Sequence, residues 1–331
     1  MSLTCCQTPC LYCGGESFSP LYQGIRDRLG HVSGEWSFER CESCGSAHLR
    51  PFPVAEQIAG FYPRVYTFAP QHAASPVQRW LAQLEFALFF RPVYRAQVRI
   101  IDRLVRPATS IARLLDIGCG QGLRLIEFRR RGYDCHGIDI DAAAVAAVQK
   151  QHGIPAVCGD LATLEDHYPP QSFDVITAFC LLEHVPDVAG LLRQCFELLR
   201  PGGWMVGVVP LIDSAQIALF GRRDINLREA PRHLSIPTQQ ALRTACVRAG
   251  YAPDTFRLLP DTPLSCAGSA GLSLFPSANT THVYGSRRWW RVAWRLCGAA
   301  SVAALAPWML VENYLLKRPV MGMLFAQRPI D

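Results

Sequence analysis

The sequence predicts an α/β fold, a doubly wound and mostly parallel sheet, with a small cysteine-bearing module ahead of it. Three observations carry that prediction. Apolar strand-like runs recur, each ending in a turn; one of them ends in the octapeptide LDIGCGQG at residues 115–122; and Cys10, Cys13, Cys41 and Cys44 form two CxxC pairs. Regular alternation of buried strands with helical stretches implies parallel pairing.

The run 111–117 has the composition of a buried parallel strand, and 121–131 can continue as a helix. Between them Gly118, Gly120 and Gly122 tolerate positive φ and leave room for a ligand to approach the backbone. Their spacing is GxGxG, with Leu123 where the dinucleotide fingerprint needs its third glycine. Alone, such a loop is as compatible with a structural turn as with nucleotide-like binding. The next apolar run ends at HGIDID, which puts Asp139 at a second strand tip about 20 residues on, where a carboxylate reaches ribose hydroxyls. Capping the helix that begins near Ala142 is the alternative for Asp139, and Asp141 suits that role better. A third unit, AVCGDLATL, places Asp160 at a strand tip, with helix capping again the alternative. The fourth strand opens FDVITAFCLLEHVPD at 173–187, and LLRPGGWMVGVVP at 198–210 ends a helix before the fifth.

Cys10 and Cys13, then Cys41 and Cys44, are each followed by glycine and have zinc-ribbon spacing. Four thiolates can close a tetrahedral shell, and a segment this poor in apolar residues needs such a staple to fold. A coincidental pair of CxxC units or a redox dithiol is the alternative. A closed four-thiolate shell has no open position, so this zinc is expected to be structural. Cys5 and Cys6 are less well spaced and are left out of the ligand set.

With 331 residues, half of them apolar, the chain can bury a sizeable core. A net charge of +6, spread along the sequence, gives no argument for nucleic acid. Fourteen cysteines behind a start that is neither basic nor hydrophobic point to a reducing, cytoplasmic setting.

The blocks LDIGCG, FDVI…LEHVPD and LRPGG resemble those of class I S-adenosylmethionine (SAM) dependent methyltransferases of the small-molecule type. The N-terminal CxxCG…CxxCG ribbon, followed by Phe61, Tyr62, Pro63 and Tyr66, resembles a subgroup that modifies sugars or natural-product intermediates. The resemblance implies a Rossmann-like sheet of seven strands. It also implies that Asp116, Gly118, Gly120 and Gly122 hold the methionine half of SAM, Asp139 the ribose, and Asp160 with Leu161 the adenine. SAM carries no phosphate, so its loop does not need the pyrophosphate geometry of the longer fingerprint. The expected reaction is methyl transfer to oxygen or carbon of a sugar or secondary metabolite. An RNA methyltransferase is the first rival, and the scattered arginines do not favour it. The second is a catalytically silent SAM-fold binding module, which would suit a degraded glycine loop; here loop and acid are intact.

Methyl transfer from a sulfonium is mainly a matter of positioning, and a base is needed only where the acceptor must lose a proton. Candidates belong just past the fourth and fifth strand tips. His184, beside Glu183, follows the fourth, with packing against the cofactor loop as its alternative role. His233 lies in the polar stretch APRHLSIPTQQAL and is the candidate base or acceptor contact, with Arg232 beside it. Cys180 reads as a wall of the cofactor pocket, since direct transfer needs no covalent enzyme intermediate. Tyr62 and Tyr66 suit the substrate mouth or simple packing.

The expected domains are a zinc ribbon at 1–55, a helical linker at 56–110 and the methyltransferase domain at 111–331. Residues 75–105 have helical spacing, broken or kinked at Pro92. The last two strands are expected at 251–259 and 320–328, with a helical insertion at about 261–318 between them. Residues 260–281, rich in Ser, Gly, Pro and Thr, read as a loop or lid. Residues 289–316 are apolar and flanked by Arg287, Arg288, Lys317 and Arg318. They are too short and too interrupted by Pro307 for a membrane span, and suit either a helical cap or peripheral membrane contact.

Overall fold

The computed structural model describes residues 8–62, 83–84, 86–106, 111–159, 161–274, 304–305 and 307–330. Asp160, Pro63, Tyr66, Cys5, Cys6, Arg287, Arg288 and most of 289–316 lie outside the described residues.

Strands β1 (Phe18–Ile25), β2 (Trp36–Cys41) and β3 (Ala47–Arg50) form an antiparallel meander. A short helix α1 (Ala55–Ile58) follows, and α2 (Arg91–Val105) leads into the main sheet. That sheet is built from β4 (Arg113–Ile117), β5 (Asp134–Asp139), β6 (Ala156–Cys158), β7 (Phe173–Phe179) and β8 (Leu199–Pro210). Helices α3 (Leu123–Arg129), α4 (Ala142–His152) and α5 (Val188–Leu198) alternate with these strands. After β8 come α6 (Ala215–Phe220), α7 (Ile225–Arg228), the two-residue β9 (Ser235–Ile236) and α8 (Gln239–Arg248). The last elements are β10 (Arg257–Pro260), α9 (Pro263–Leu274) and β11 (Met321–Gln327).

The large sheet has the order β10-β11-β8-β7-β4-β5-β6. β4 to β8 are parallel, while β11 runs antiparallel to both of its neighbours. β7 is buried along its whole length, as expected of a central strand covered on both faces. Successive strands leave β4 first toward β5 and then toward β7, so a crevice opens at the carboxyl end of β4. Ends of helices follow the sequence signals. Asp141 caps α4 by accepting from Ala143 N and Ala144 N, Asp187 caps α5, and Gly153 closes α4 in the left-handed conformation.

The structure refines the sequence expectations at three places. At Pro92 the helical run changes character: a π-helical turn, Phe86–Phe90, gives way to α2 at Arg91, and Pro92 sits in the first turn of α2, where the missing N–H costs little. α2 buries Gln97, Val98, Ile101 and Val105. The stretch read as a loop or lid at 260–281 contains the helix α9, whose small residues allow close packing against α7. Ser273 Oγ there accepts from Ile225 N at 2.9 Å. Finally, the polar segment carrying His233 is folded inward, with residues 229–238 buried against the N-terminal module. β9 adds to β3 as the fourth strand of the small sheet, with Ala47 opposite Ile236 and His48 opposite Ser235.

Candidate active site

The glycine loop turns out of β4 at the crevice. Gly118 N and Cys119 N both donate to Ile138 O, at 2.8 and 3.1 Å, which ties the loop to β5. Gly118, Gly120 and Gly122 have φ of 69°, 51° and 70°, the left-handed region that favours glycine. A Cβ on Gly122 would stand 3.0 Å from Val148, whereas one on Gly120 would meet nothing within 4 Å. Gly122 therefore serves helix packing, and Gly120 has open space beside its Cα.

Asp139 closes on this loop. Its Oδ2 accepts from Gly120 N at 2.7 Å and its Oδ1 from Asp141 N at 2.9 Å. Each oxygen keeps a further lone pair, and Asp141 rather than Asp139 caps α4. Asp116 lies beneath the loop, 3% exposed, with Thr177 Oγ1 donating to its Oδ1 at 2.6 Å. Burial pushes its carboxyl up to about 6. Leu161 opens a 3₁₀ turn, Leu161–Asp166.

Side chains with no local signal to single them out frame the same end of the sheet. The Arg124 guanidinium lies 4.1 Å from the ring centroid of Tyr94 and 4.2 Å from that of Phe179. Its Nε donates to Gln97 Oε1 at 3.1 Å, and Gln97 Nε2 donates to both carboxylate oxygens of Asp261, at 3.0 and 2.9 Å. These residues come from α2, α3, β7 and the end of β10, so only the tertiary fold joins them.

Past the tip of β7, Glu183, His184 and His233 offer ligand or proton-transfer atoms all within 4.8 Å of one another. The two imidazoles stand 4.8 Å apart between centroids, at 75°. His233 Nδ1 donates to Asn226 O at 2.8 Å. His184 Nδ1 lies 3.1 Å from Arg232 O and 3.0 Å from Tyr62 Oη. Carbonyl oxygens only accept, so each ring carries its proton on Nδ1 and a lone pair on Nε2. Burial holds His184 down at about 4 and His233 well below its ordinary range, so both are neutral at physiological pH. Glu183 is 1% exposed, burial pushes it up to about 8, and its Oε2 has no hydrogen-bond partner among the described residues.

Arg232 is not an acceptor contact. Its side chain is fully buried and pairs with Asp27 Oδ1 at 2.6 Å and Glu229 Oε2 at 3.0 Å. Cys180 adopts φ of 51° directly after β7.

The four N-terminal cysteines converge. Cys10 Sγ lies 3.5 Å from Cys44 Sγ, and Cys13 Sγ 3.6 Å from Cys41 Sγ. A tetrahedral Zn–S shell has S···S edges of about 3.8 Å, and with all four sulfurs within 4.8 Å of one another the donor set fits zinc. The contact with Cys44 and then His48, whose Nε2 is 3.3 Å from Cys10 Sγ, holds the Cys10 thiol well below its usual range. Cys10, Cys13, Cys41 and Cys44 would hold the ion, closing the ribbon that carries β1 to β3.

The sheet order, the glycine loop and the strand-tip acid define a class I SAM-dependent methyltransferase. Residues 89–255 match the methyltransferase domain family, and the chain belongs to that family. It is similar to a ubiquinone biosynthesis O-methyltransferase of Bradyrhizobium sp., 38% identical over 96 residues, 28% of this chain and 38% of that protein. A second of the same name, from Nitrobacter winogradskyi, is 37% identical over 144 residues, 41% of this chain and 50% of that one. The chain thus spans half or less of the length of these two curated relatives. A solved SAM-dependent methyltransferase from Archaeoglobus fulgidus is 16% identical, covering 75% of this chain and 99% of that one, with a TM-score of 0.47.

Proposed function

We propose that this chain transfers the methyl group of SAM to oxygen or carbon of a small molecule, of the sugar or secondary-metabolite class. When bound, SAM supplies an activated methyl group that needs only an aligned nucleophile. Asp116, the glycine loop, Asp139 and the Asp160–Leu161 corner are the proposed cofactor residues. His233 and His184 are the proposed acceptor-side groups. The observation that carries the reading is the pair of neutral imidazoles at the tip of β7, next in the sheet to the loop-bearing β4. Each has its lone pair on Nε2, ready to accept a proton or orient a hydroxyl. The bond from Nδ1 of His233 to Asn226 O fixes that tautomer, and burial keeps the ring uncharged.

Curated relatives named as ubiquinone biosynthesis O-methyltransferases support a small-molecule acceptor over a nucleic acid. The ribbon thiols suit a reducing, cytoplasmic compartment. We also propose peripheral membrane contact through 287–318. It is supported by the exposed Leu310, Tyr314, Leu315 and Leu316 beside Lys317. Labelled-SAM transfer, screened over nucleotide sugars, secondary metabolites and RNA, tests the reading. Label in a sugar or metabolite is the expected result, and label confined to RNA contradicts it.

A further inference from the structure

The N-terminal ribbon does more than sit beside the methyltransferase sheet; it supplies part of the frame that holds the acceptor-side histidines. Four independent contacts join the two. β3 pairs with β9, and Leu49 N donates to Leu234 O at 2.9 Å. Tyr12 Oη and Ser235 Oγ lie 3.0 Å apart. Thr238, which caps α8 through Ala241 N, donates its hydroxyl to the carbonyl of Cys44 at 2.7 Å. The fourth contact is ionic and fully buried: Asp27 to Arg232.

Asp27 is held before it meets its partner. Leu29 N donates to its Oδ1 at 2.9 Å, and His31 N and Val32 N donate to its Oδ2 at 2.9 and 3.0 Å. A carboxylate fixed by three amides is a rigid anchor. On the other side, Arg232 also reaches Glu229, which pairs with Arg28 from the ribbon. Its Nη1 donates to Phe61 O at 3.4 Å, next to Tyr62, whose hydroxyl contacts His184. The backbone carbonyl of the same arginine is the acceptor for His184 Nδ1. Two signals in one residue, a clamped side chain and a hydrogen-bonded carbonyl, therefore link the ribbon to an imidazole 157 positions downstream of Asp27.

We propose that Asp27 is a positioning residue for methyl transfer: by clamping Arg232 it places the carbonyl that fixes the His184 tautomer and orients the His184–His233 pair. This rests on the acceptor-side role of the two histidines given above. If the anchor is lost, a buried guanidinium is left with incomplete charge compensation and moves toward water, taking its carbonyl with it. His184 then loses the acceptor that keeps its proton on Nδ1, and Nε2 no longer presents a lone pair in every molecule. A merely structural salt bridge would change stability without changing a tautomer.

The test uses the full-length zinc-loaded chain and the variant Asp27→Asn, compared by histidine side-chain ¹⁵N NMR, SAM calorimetry and turnover on the acceptor found by screening. The expected result is unchanged zinc content and SAM affinity, a mixed His184 tautomer, and turnover at least about tenfold lower, the scale of a displaced catalytic group. If Asp27→Asn does not fold, the apolar pair Asp27→Leu with Arg232→Met removes the charge partners together and carries the same readouts. His184 wholly protonated on Nδ1 with wild-type turnover in the folded variant overturns the proposal. A shifted tautomer with unchanged turnover also overturns it, because the histidines then take no part in the reaction. His184→Ala and His233→Ala, measured in parallel, separate those two failures.

Discussion

His233 and Glu183 show how burial sets the chemistry of single residues here. His233 is 6% exposed and spends Nδ1 on Asn226 O, so its one remaining function is at Nε2. Replacement by alanine should lower turnover by about 100-fold or more with SAM affinity nearly unchanged. Single-turnover kinetics and calorimetry on one preparation decide this; wild-type turnover would make His233 a packing residue. Glu183 is a buried carboxyl raised from 4.5 to about 8 by desolvation. Its neutral form is favoured on folding, so its contribution to stability is full below pH 4.5 and is lost as the pH rises through 8. Glu183→Gln should therefore gain stability over the wild type as pH increases, with the gap largest above pH 8 and smallest near pH 4.5. Urea unfolding across that range reads the gap directly, and a gap independent of pH would contradict the assignment. At this scale composition pointed to the loop, Asp139 and His184 because each sits at a strand tip, whereas His233 stood out only as an imidazole in a polar stretch well past β8. The sequence was silent on Asp27, Arg28 and Glu229, whose partners lie some 200 positions away in the chain.

Elements were legible where periodicity is strong and obscure where it is weak. The parallel strands stand out as apolar runs, and Asp141 caps α4 as its place in the sequence suggested, while Asp187 and Thr238 cap α5 and α8 in the same way. α9 escaped because Ser, Gly and Ala dominate it; those residues read as loop but permit the close approach that Ser269 and Ser273 exploit toward α7 and Gln216. The small sheet escaped for another reason: β9 is two residues long and gains its partner only from β3. Its dependence on the ribbon leads to a prediction. Purified protein should carry one zinc per chain, and replacing Cys10 and Cys41 together should abolish it while loosening 229–238, seen as faster amide exchange there than in β4 or β7. Full zinc retention in that variant would mean the ligands are other residues. For the segment 287–318, anionic vesicles should float the intact chain and lose it when Arg287, Arg288 and Arg291 become glutamate. Wild type remaining in the soluble fraction at low salt would leave only the helical-cap reading.

Over the whole molecule, two sheets share one purpose. The seven-stranded sheet brings the glycine loop and Asp139 to the crevice where its strand order reverses, and the four-stranded sheet clamps the segment that carries His233. The doubly wound sheet was readable from the recurrence of strand-tip motifs, and the ribbon from its cysteine spacing. Their union was not, since it depends on a buried ion pair and a two-residue strand that no local pattern announces. On the reading proposed above, the crevice is a SAM site built on the loop and Asp139. Calorimetric titration of SAM into the wild type and into Asp139→Ala tests it most directly. One site per chain is expected, weakened by about ten- to a hundredfold in the variant, as losing a charge-assisted hydrogen-bonding group worth roughly 1.5 to 3 kcal/mol requires. Equal affinity in a folded Asp139→Ala, or no heat of binding in the wild type, would contradict it.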